Sequence, residues 1–429
     1  MPITLPGGLI ERPGSLSAMG VAPEAVFGTP VTPTGMEPFK TQSLAPDIGV
    51  FYPPLITGFR EANVFPLRGQ AKYMGSVGGA LFPVNGVPLL VATIGGDGGR
   101  KLATGVPTGF GVTGAVPGSN LKAGTLTGSG GGGALAINDA SVIYTLVSGA
   151  APATNDFLAI DTNSSSTTSE VRKITAVSGA GPYTLTLDSG VNWTHAAAVT
   201  ANRVVAPFSH SVMPTNMNDS LTLEKLVGGH QSQQFFGCRV GKMGMKLGAT
   251  NTEAEATFDV SGMGVNVLDT PSSETLDTAL PFVFQEATLN VFGNAVQIAS
   301  AIEFTYDNAT KENWTMGAGY GPTFITPQAR KVTGKLTLVY LSHDDSTYGY
   351  FAKYNSFTGG ALSLALAHPD GTGVTFTFPN VNLTKYSDDL KLDDIVMVNL
   401  EFTANLALGA TPPNSMSALV KNNSVYLPY

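Results

Sequence analysis

SLTLEKLVGGHQSQQFFGCRVGKMGMKLGATNTEAEATFDVSG, residues 220–262, holds the pattern on which the fold turns. Apolar and polar residues alternate in SLTLEKL (220–226) and again in ATFDVSG (256–262), with FFGCRVGKMGMKLG (235–248) between them. A period of two sends successive side chains to opposite faces of a strand, so the stretch predicts half-buried β-strands rather than helix. The alternation recurs in ATLNVFG (287–293), GKLTLVYL (334–341), GVTFTFP (373–379) and MVNLEFTAN (397–405). Short helices are expected at PLLVATIGG (88–96), which ends on a glycine as a helix stop does, and at DDSTYGYFAKYNS (344–356), where Tyr348, Phe351 and Ala352 fall at three-to-four spacing.

Composition narrows the class. The chain has 429 residues, 43% of them hydrophobic, enough for two or three domains with a sizeable core. Only 13% are charged, against roughly 25% in ordinary soluble proteins, and no apolar run approaches the roughly 18 residues of a membrane span. Low surface charge without membrane burial predicts a surface covered by other subunits. The net charge of −8, from 31 acidic and 23 basic residues without a Lys/Arg cluster, argues against tight DNA or RNA binding. Cys238 is the single cysteine, and MPITLPGGLIERPGS lacks a basic-then-apolar leader pattern, so folding in a reducing cytoplasm is expected. The 51 glycines and 28 prolines imply many turns.

A faint internal repeat is present. VFGTPVTPTGMEPF (26–39) aligns without gaps on VFGNAVQIASAIEF (291–304). After each copy comes a strand, a short helix and three further strands, which predicts a duplicated unit. The first copy is interrupted from Gly98 to Val205 by a Gly/Thr/Ser/Ala-rich segment containing SVIYTLV, DFLAID and YTLTLDSG, read as a small β module inserted in a loop. The expected divisions are an N-terminal arm (1–22), a discontinuous first unit (23–97 and 206–268), the insert (98–205), a second unit (269–407) and a C-terminal arm (408–429).

Chemistry is harder to find. GSGGGG (128–133) matches the dinucleotide fingerprint G-x-G-x-x-G, and Asp156 sits near the distance of its acidic partner, but a strand-like SVIYTLV follows where a helix is required. The glycines read instead as a flexible connector at the entrance of the insert. His195, His210, His230, His343 and His368 form no metal-ligand motif with each other or with Cys238, and His343-Asp344-Asp345 reads as a turn. Cys238 among apolar neighbours reads as a small buried hydrophobe. Asp388, Asp389, Asp393 and Asp394 occupy SDDLKLDD, a solvated turn. No catalytic residue, cofactor site or metal site is expected, and the chain is expected not to be an enzyme.

The ordered set EAVFGTPVTP, SLTLEKLVGG, FFGCRVGKMGMKLG, ATFDVSGMG, PFVFQEATLNVFG and ARKVTGKLTLVYL, spanning residues 20–100 and 207–407, resembles the tail tube proteins (major tail proteins) of long-tailed, siphovirus-like bacteriophages. The resemblance implies a mainly β fold, the tail-tube β-sandwich or barrel with short flanking helices, here duplicated and carrying the small inserted β domain. It implies self-association into rings that stack into a tube, a conduit for genome ejection. The implied partners are a tape measure protein in the lumen, tail terminator and distal tail proteins, and double-stranded DNA in passage. Assembly in the host cytoplasm and residence in the virion follow. With two units per chain, three chains would make a pseudo-sixfold ring; six chains, each giving one barrel unit and one external domain, are the alternative. The insert is expected on the outer wall, and the terminal arms are candidates for locking rings together. A virion decoration or receptor-binding protein with several β domains, and a secreted glycosidase, are the competing readings.

Overall fold

The computed structural model describes residues 17–24, 26–33, 35–36, 39–53, 66–83, 87–95, 110–115, 122–128, 133–161, 170–191, 193–216, 218–227, 231–249, 253–272, 279–317, 319–340, 349–389, 395–409 and 413–423. The first strands are β1 (Ala18–Pro23), β2 (Gly35–Met36), β3 (Thr41–Gln42), β4 (Ala45–Phe51) and β5 (Leu67–Ala80), followed by helix α1 (Val87–Ile94). Next come β6 (Phe110–Ala115), β7 (Lys122–Gly128), β8 (Ser141–Gly149), β9 (Phe157–Ile160), β10 (Glu170–Ser178), β11 (Tyr183–Leu187) and β12 (Val199–Val212). The opening stretch folds as β13 (Leu221–Val227), β14 (Gln231–Gly248) and β15 (Glu255–Gly262), with β16 (Gly264–Leu268) after them. The second half runs β17 (Ala287–Val291), β18 (Asn294–Val296), β19 (Ala299–Asp307), β20 (Lys311–Asn313), β21 (Phe324–Thr326), β22 (Lys331–Val339), α2 (Tyr350–Asn355), β23 (Gly360–Ala367), β24 (Gly373–Asp389), β25 (Met397–Ala404) and β26 (Ser417–Asn422).

The chain is mainly β, as the alternation predicts. One continuous antiparallel sheet follows the order β4, β5, β15, β14, β19, β22, β25, β24. Its two halves have the same plan. β4, β5, β15 and β14 lead on to β13, β1 and β2; β19, β22, β25 and β24 lead on to β23, β17 and β18. The irregularities also coincide: β14 shifts register on β15 between Val240 and Lys242, and β24 shifts on β25 between Leu383 and Lys385. Likewise β13 shifts on β14 between Leu221 and Leu223, and β23 on β24 between Gly360 and Leu362. A bulge is a built feature that re-aims a strand, so its repetition at matching positions marks the duplication.

The register of the repeat differs from the ungapped alignment. Val21 lies opposite Leu223 as Val291 lies opposite Leu362, so Val21 is the counterpart of Val291 and Val26–Gly28 fall in the β1–β2 connection. That connection is long in the first copy, whereas β17 and β18 turn tightly on Phe292 and Gly293, both at positive φ. An alignment without gaps could not register the two loops together.

The long strands β14 and β24 each serve both layers, and the core lies between the layers. Phe235, Cys238, Val240 and Met243 fill it in the first unit, Phe376, Phe378, Leu400 and Phe402 in the second. Phe304 stands edge-on to Phe376 and Phe378 at 5.1 and 5.3 Å. Helix α1 is buried along its whole length, as suits a helix apolar all round, and Gly95 ends it at φ +98° with its N–H on Val91 O at 2.8 Å. The second helix is shorter than its sequence expectation: Tyr350–Asn355 is helical, and residues 341–348 lie outside the described residues.

Strands β7, β8, β11, β10, β9 and β12 close on themselves as a six-stranded antiparallel barrel. Its separate core contains Leu126, Val142, Tyr144, Leu158, Ile174 and Leu185, and closure leaves it no free edge. Three observations bear on the expected divisions. β12 leaves the barrel after Val204 and continues as Phe208–Val212, within the stretch expected in the first unit, between β6 and β26; β6, which falls inside the expected insert (98–205), thus pairs outside the barrel. Gly128 closes β7 and its N–H reaches Gly133 O at 3.1 Å, so the glycine tract falls in sequence between two strands of the barrel; residues 129–132 lie outside the described residues. β1, of which Ala18–Ala22 fall in the expected N-terminal arm, and β26, in the expected C-terminal arm, pair within this chain: β1 with β13, and β26 with β12 and β24. Runs this short between prolines carry too few alternations to stand out in sequence.

Candidate functional site

Several of the sequence candidates among the described residues are engaged by neighbours within the fold. Asp156 is engaged by Arg203 at 3.0 Å and by the Ala153 N–H at 2.7 Å, and β8 rather than a helix follows the glycine tract. Cys238 is fully buried, and burial, aided by the nearby negative Glu24, pushes its thiol pKa well up, the opposite of an activated nucleophile. His210 meets Asn422 at 3.1 Å in the core, and His368 stacks on Phe282 while contacting Glu286 at 2.8 Å. Asp388 is exposed near the end of β24, and His230, His343, Asp344, Asp345, Asp393 and Asp394 lie outside the described residues.

His195 belongs to a buried polar cluster in the inserted barrel. Its Nε2 lies 2.7 Å from Glu170 and its Nδ1 3.3 Å from Asp161, and Glu170 also pairs with Arg172 at 2.5 Å. Burial lowers the imidazole pKa, but the hydrogen bonds and charges of Glu170 and Asp161 outweigh it and leave the pKa raised above 6.5.

The surface that stands out is the open face of the eight-stranded sheet. Alternation puts one set of side chains into the core and the other onto this face, and the register then lines charges up from strand to strand. Glu255, Lys246, Glu303, Lys335, Glu401 and Lys385 are successive cross-strand partners, alternating in sign across six neighbouring strands. A second row alternates the same way through Asp259, Lys242, Asp307 and Lys331. At the β4 edge Asp47 opposes Lys72. Lys246 and Glu303 approach to 3.6 Å, Lys385 and Glu401 to 3.0 Å. Threonines and small residues separate the rows, including Thr257, Gly244, Thr305, Thr333 and Thr403.

Each exposed cross-strand pair contributes only about 0.2–1 kcal/mol. Their larger effect is on the potential. A face on which every lysine has a carboxylate beside it presents no run of cations, so a polyanion passing over it meets no track to bind. The acid excess of the whole chain is therefore not concentrated here. Sequence reading missed this face, yet it left a signal: like-charged residues four apart within strands, at Lys242 and Lys246, Glu255 and Asp259, Glu303 and Asp307, Lys331 and Lys335. An even spacing keeps both on one face of a strand, and the sign reverses from strand to strand.

The family model described as phage tail tube protein matches residues 14–404 of the chain. No curated protein matches it.

Proposed function

The chain belongs to the phage tail tube protein family, and from that premise we propose that it assembles as rings of three chains, stacked into a tube through which the phage genome passes into the host. The family is structural rather than enzymatic, so the chain is a structural component of the virion tail. The observation that carries the proposal is the eight-stranded sheet itself: two equivalent units joined edge to edge, one face packed and the other polar, charge-balanced and open.

In this reading the open face lines the bore. Its paired charges let phosphates slide past without being held. The two units of one chain occupy adjacent sixths of the ring, which makes a trimer pseudo-sixfold, and head-to-tail stacking of rings is a contact that does not close and therefore gives a filament. We assign residues 17–95 with 208–268 to the first unit, 122–204 to the inserted barrel on the outer wall, and 279–404 to the second unit, with β6, the end of β12 and β26 bracing the main body. A tape measure protein would fill the lumen before ejection, with terminator and distal tail proteins at the two ends.

Electron microscopy of the purified chain tests the proposal. Stacked rings with an open bore are expected. Compact monomers or fibre-tip trimers without a bore would favour a decoration or receptor-binding protein instead.

A further inference from the structure

The antiparallel order of the inserted barrel brings the β7–β8 connection, the β11–β12 connection, the end of β9 and the start of β10 to one of its ends. The two connections are tied to each other. Leu135 and His195 exchange both backbone hydrogen bonds at 3.0 Å, the Asn138 N–H donates to Val191 O at 2.9 Å, and the Val191 N–H to Asp139 O at 3.1 Å. Leu135 and Val191 are fully buried in the barrel core, and Trp193 is buried as well. Together these residues cap the barrel end.

His195 fastens that cap to the wall. Its buried ring stands between two carboxylates that belong to the wall strands: Nε2 lies 2.7 Å from Glu170 Oε1, at the start of β10, and Nδ1 lies 3.3 Å from Asp161 Oδ2, just past the end of β9. A neutral imidazole has one N–H and one lone pair, so with a carboxylate on each nitrogen only the imidazolium donates to both. Charge gives the same answer. Glu170 also pairs with Arg172 at 2.5 Å, so within this cluster one guanidinium and one imidazolium balance two carboxylates, whereas a neutral ring leaves a buried negative charge in excess.

Both carboxylates are carried to the ring by the backbone. Glu170 is held opposite Ile160 in the β9–β10 ladder, and its Oε1 also accepts the Trp193 N–H of the cap at 3.4 Å. Asp161 stands at φ +65°, a left-handed conformation, with its N–H on Thr200 O at 2.8 Å. The other charged groups at hand are engaged elsewhere: Asp139 of the β7–β8 connection accepts the Ala136 N–H at 2.8 Å, and Asp156 pairs with Arg203 at 3.0 Å.

We infer that the end of the inserted barrel is closed by a proton latch: the imidazolium of His195 holds Leu135, Val191 and Trp193 over the barrel core, and loss of that one proton lets the cap open while the barrel strands stay paired. Opening is local and reversible, and it exposes Leu135 and Val191, which no other pH-independent feature of the cap would do. The device lies wholly within the inserted barrel and stands apart from how the chain assembles.

The chain has two tryptophans, so the full chain carrying Trp314→Phe reports on Trp193 alone. Titrated upward from the ordinary imidazole value of 6.5, its emission is expected to shift to the red and its quenching by acrylamide to rise, both reversing when acid is restored, with the far-ultraviolet circular dichroism unchanged. Two further substitutions in that chain should act in opposite senses. His195→Gln offers one donor and one acceptor, like the neutral ring, and should give the open signal at every pH. Asp161→Asn removes the excess charge, can donate to Nδ1 and tolerates a left-handed backbone, so it should give the closed signal at every pH. Should His195→Gln fail to fold, Asp161→Asn decides alone. A Trp193 signal that ignores pH, a transition that survives in either variant, or a red shift that comes only with loss of the circular dichroism would overturn the latch.

Discussion

At the scale of single residues, two sites carry clear consequences. The His195 imidazole is raised in pKa by Glu170 and Asp161, so the folded barrel holds its proton more tightly than the unfolded chain does. That contribution is full below the unfolded pKa and is lost as pH rises through the raised folded value. The melting temperature of the insert should therefore fall as pH rises from the unfolded value of 6.5, and His195→Gln should flatten the slope; identical slopes would contradict the role given to the imidazole. Gly334 is constrained differently. A Cβ there would lie 2.6 Å from Glu303 O and inside the Phe402 ring, just as one at Gly75 would lie 2.6 Å from Leu44 Cα. Gly334→Ala should cost about 1–3 kcal/mol in urea unfolding. Neither site was legible in sequence. Each depends on which strand lies opposite, and a single chain read in order does not give that.

Elements were legible to different degrees, for physical reasons. The strands of 220–262 follow from their period of two, and α1 from its glycine stop. GSGGGG falls between β7 and β8, two strands of the barrel, and in sequence glycines read the same there as in a connector ahead of it. The two helices are equivalent in place and opposite in exposure, which gives a test. Leu90→Ala in buried α1 should cost the free chain about 2–5 kcal/mol, while Phe351→Ser in α2 should cost it less than about 1 kcal/mol. Urea denaturation of both variants measures the difference; equal losses would mean that α2 is as enclosed in the free chain as α1.

For the whole molecule, duplication decides the reading. The order of elements made it visible in sequence, and the paired bulges at Val240/Lys242 and Leu383/Lys385 fix its register. The charge rows needed that register before they could be seen. The inserted barrel closes on itself, so replacing residues 116–204 by a two-residue Gly-Asn turn between β6 and the end of β12 should leave tubes intact. Loss of assembly would refute a place on the outer wall. The most direct measurement of the central claim is the mass of an isolated ring by native mass spectrometry, read beside its image. Three chains around an open bore, with three outer knobs and six similar wall units, are expected; six chains in a ring, or a ring in which the units of one chain are not adjacent, would contradict the account.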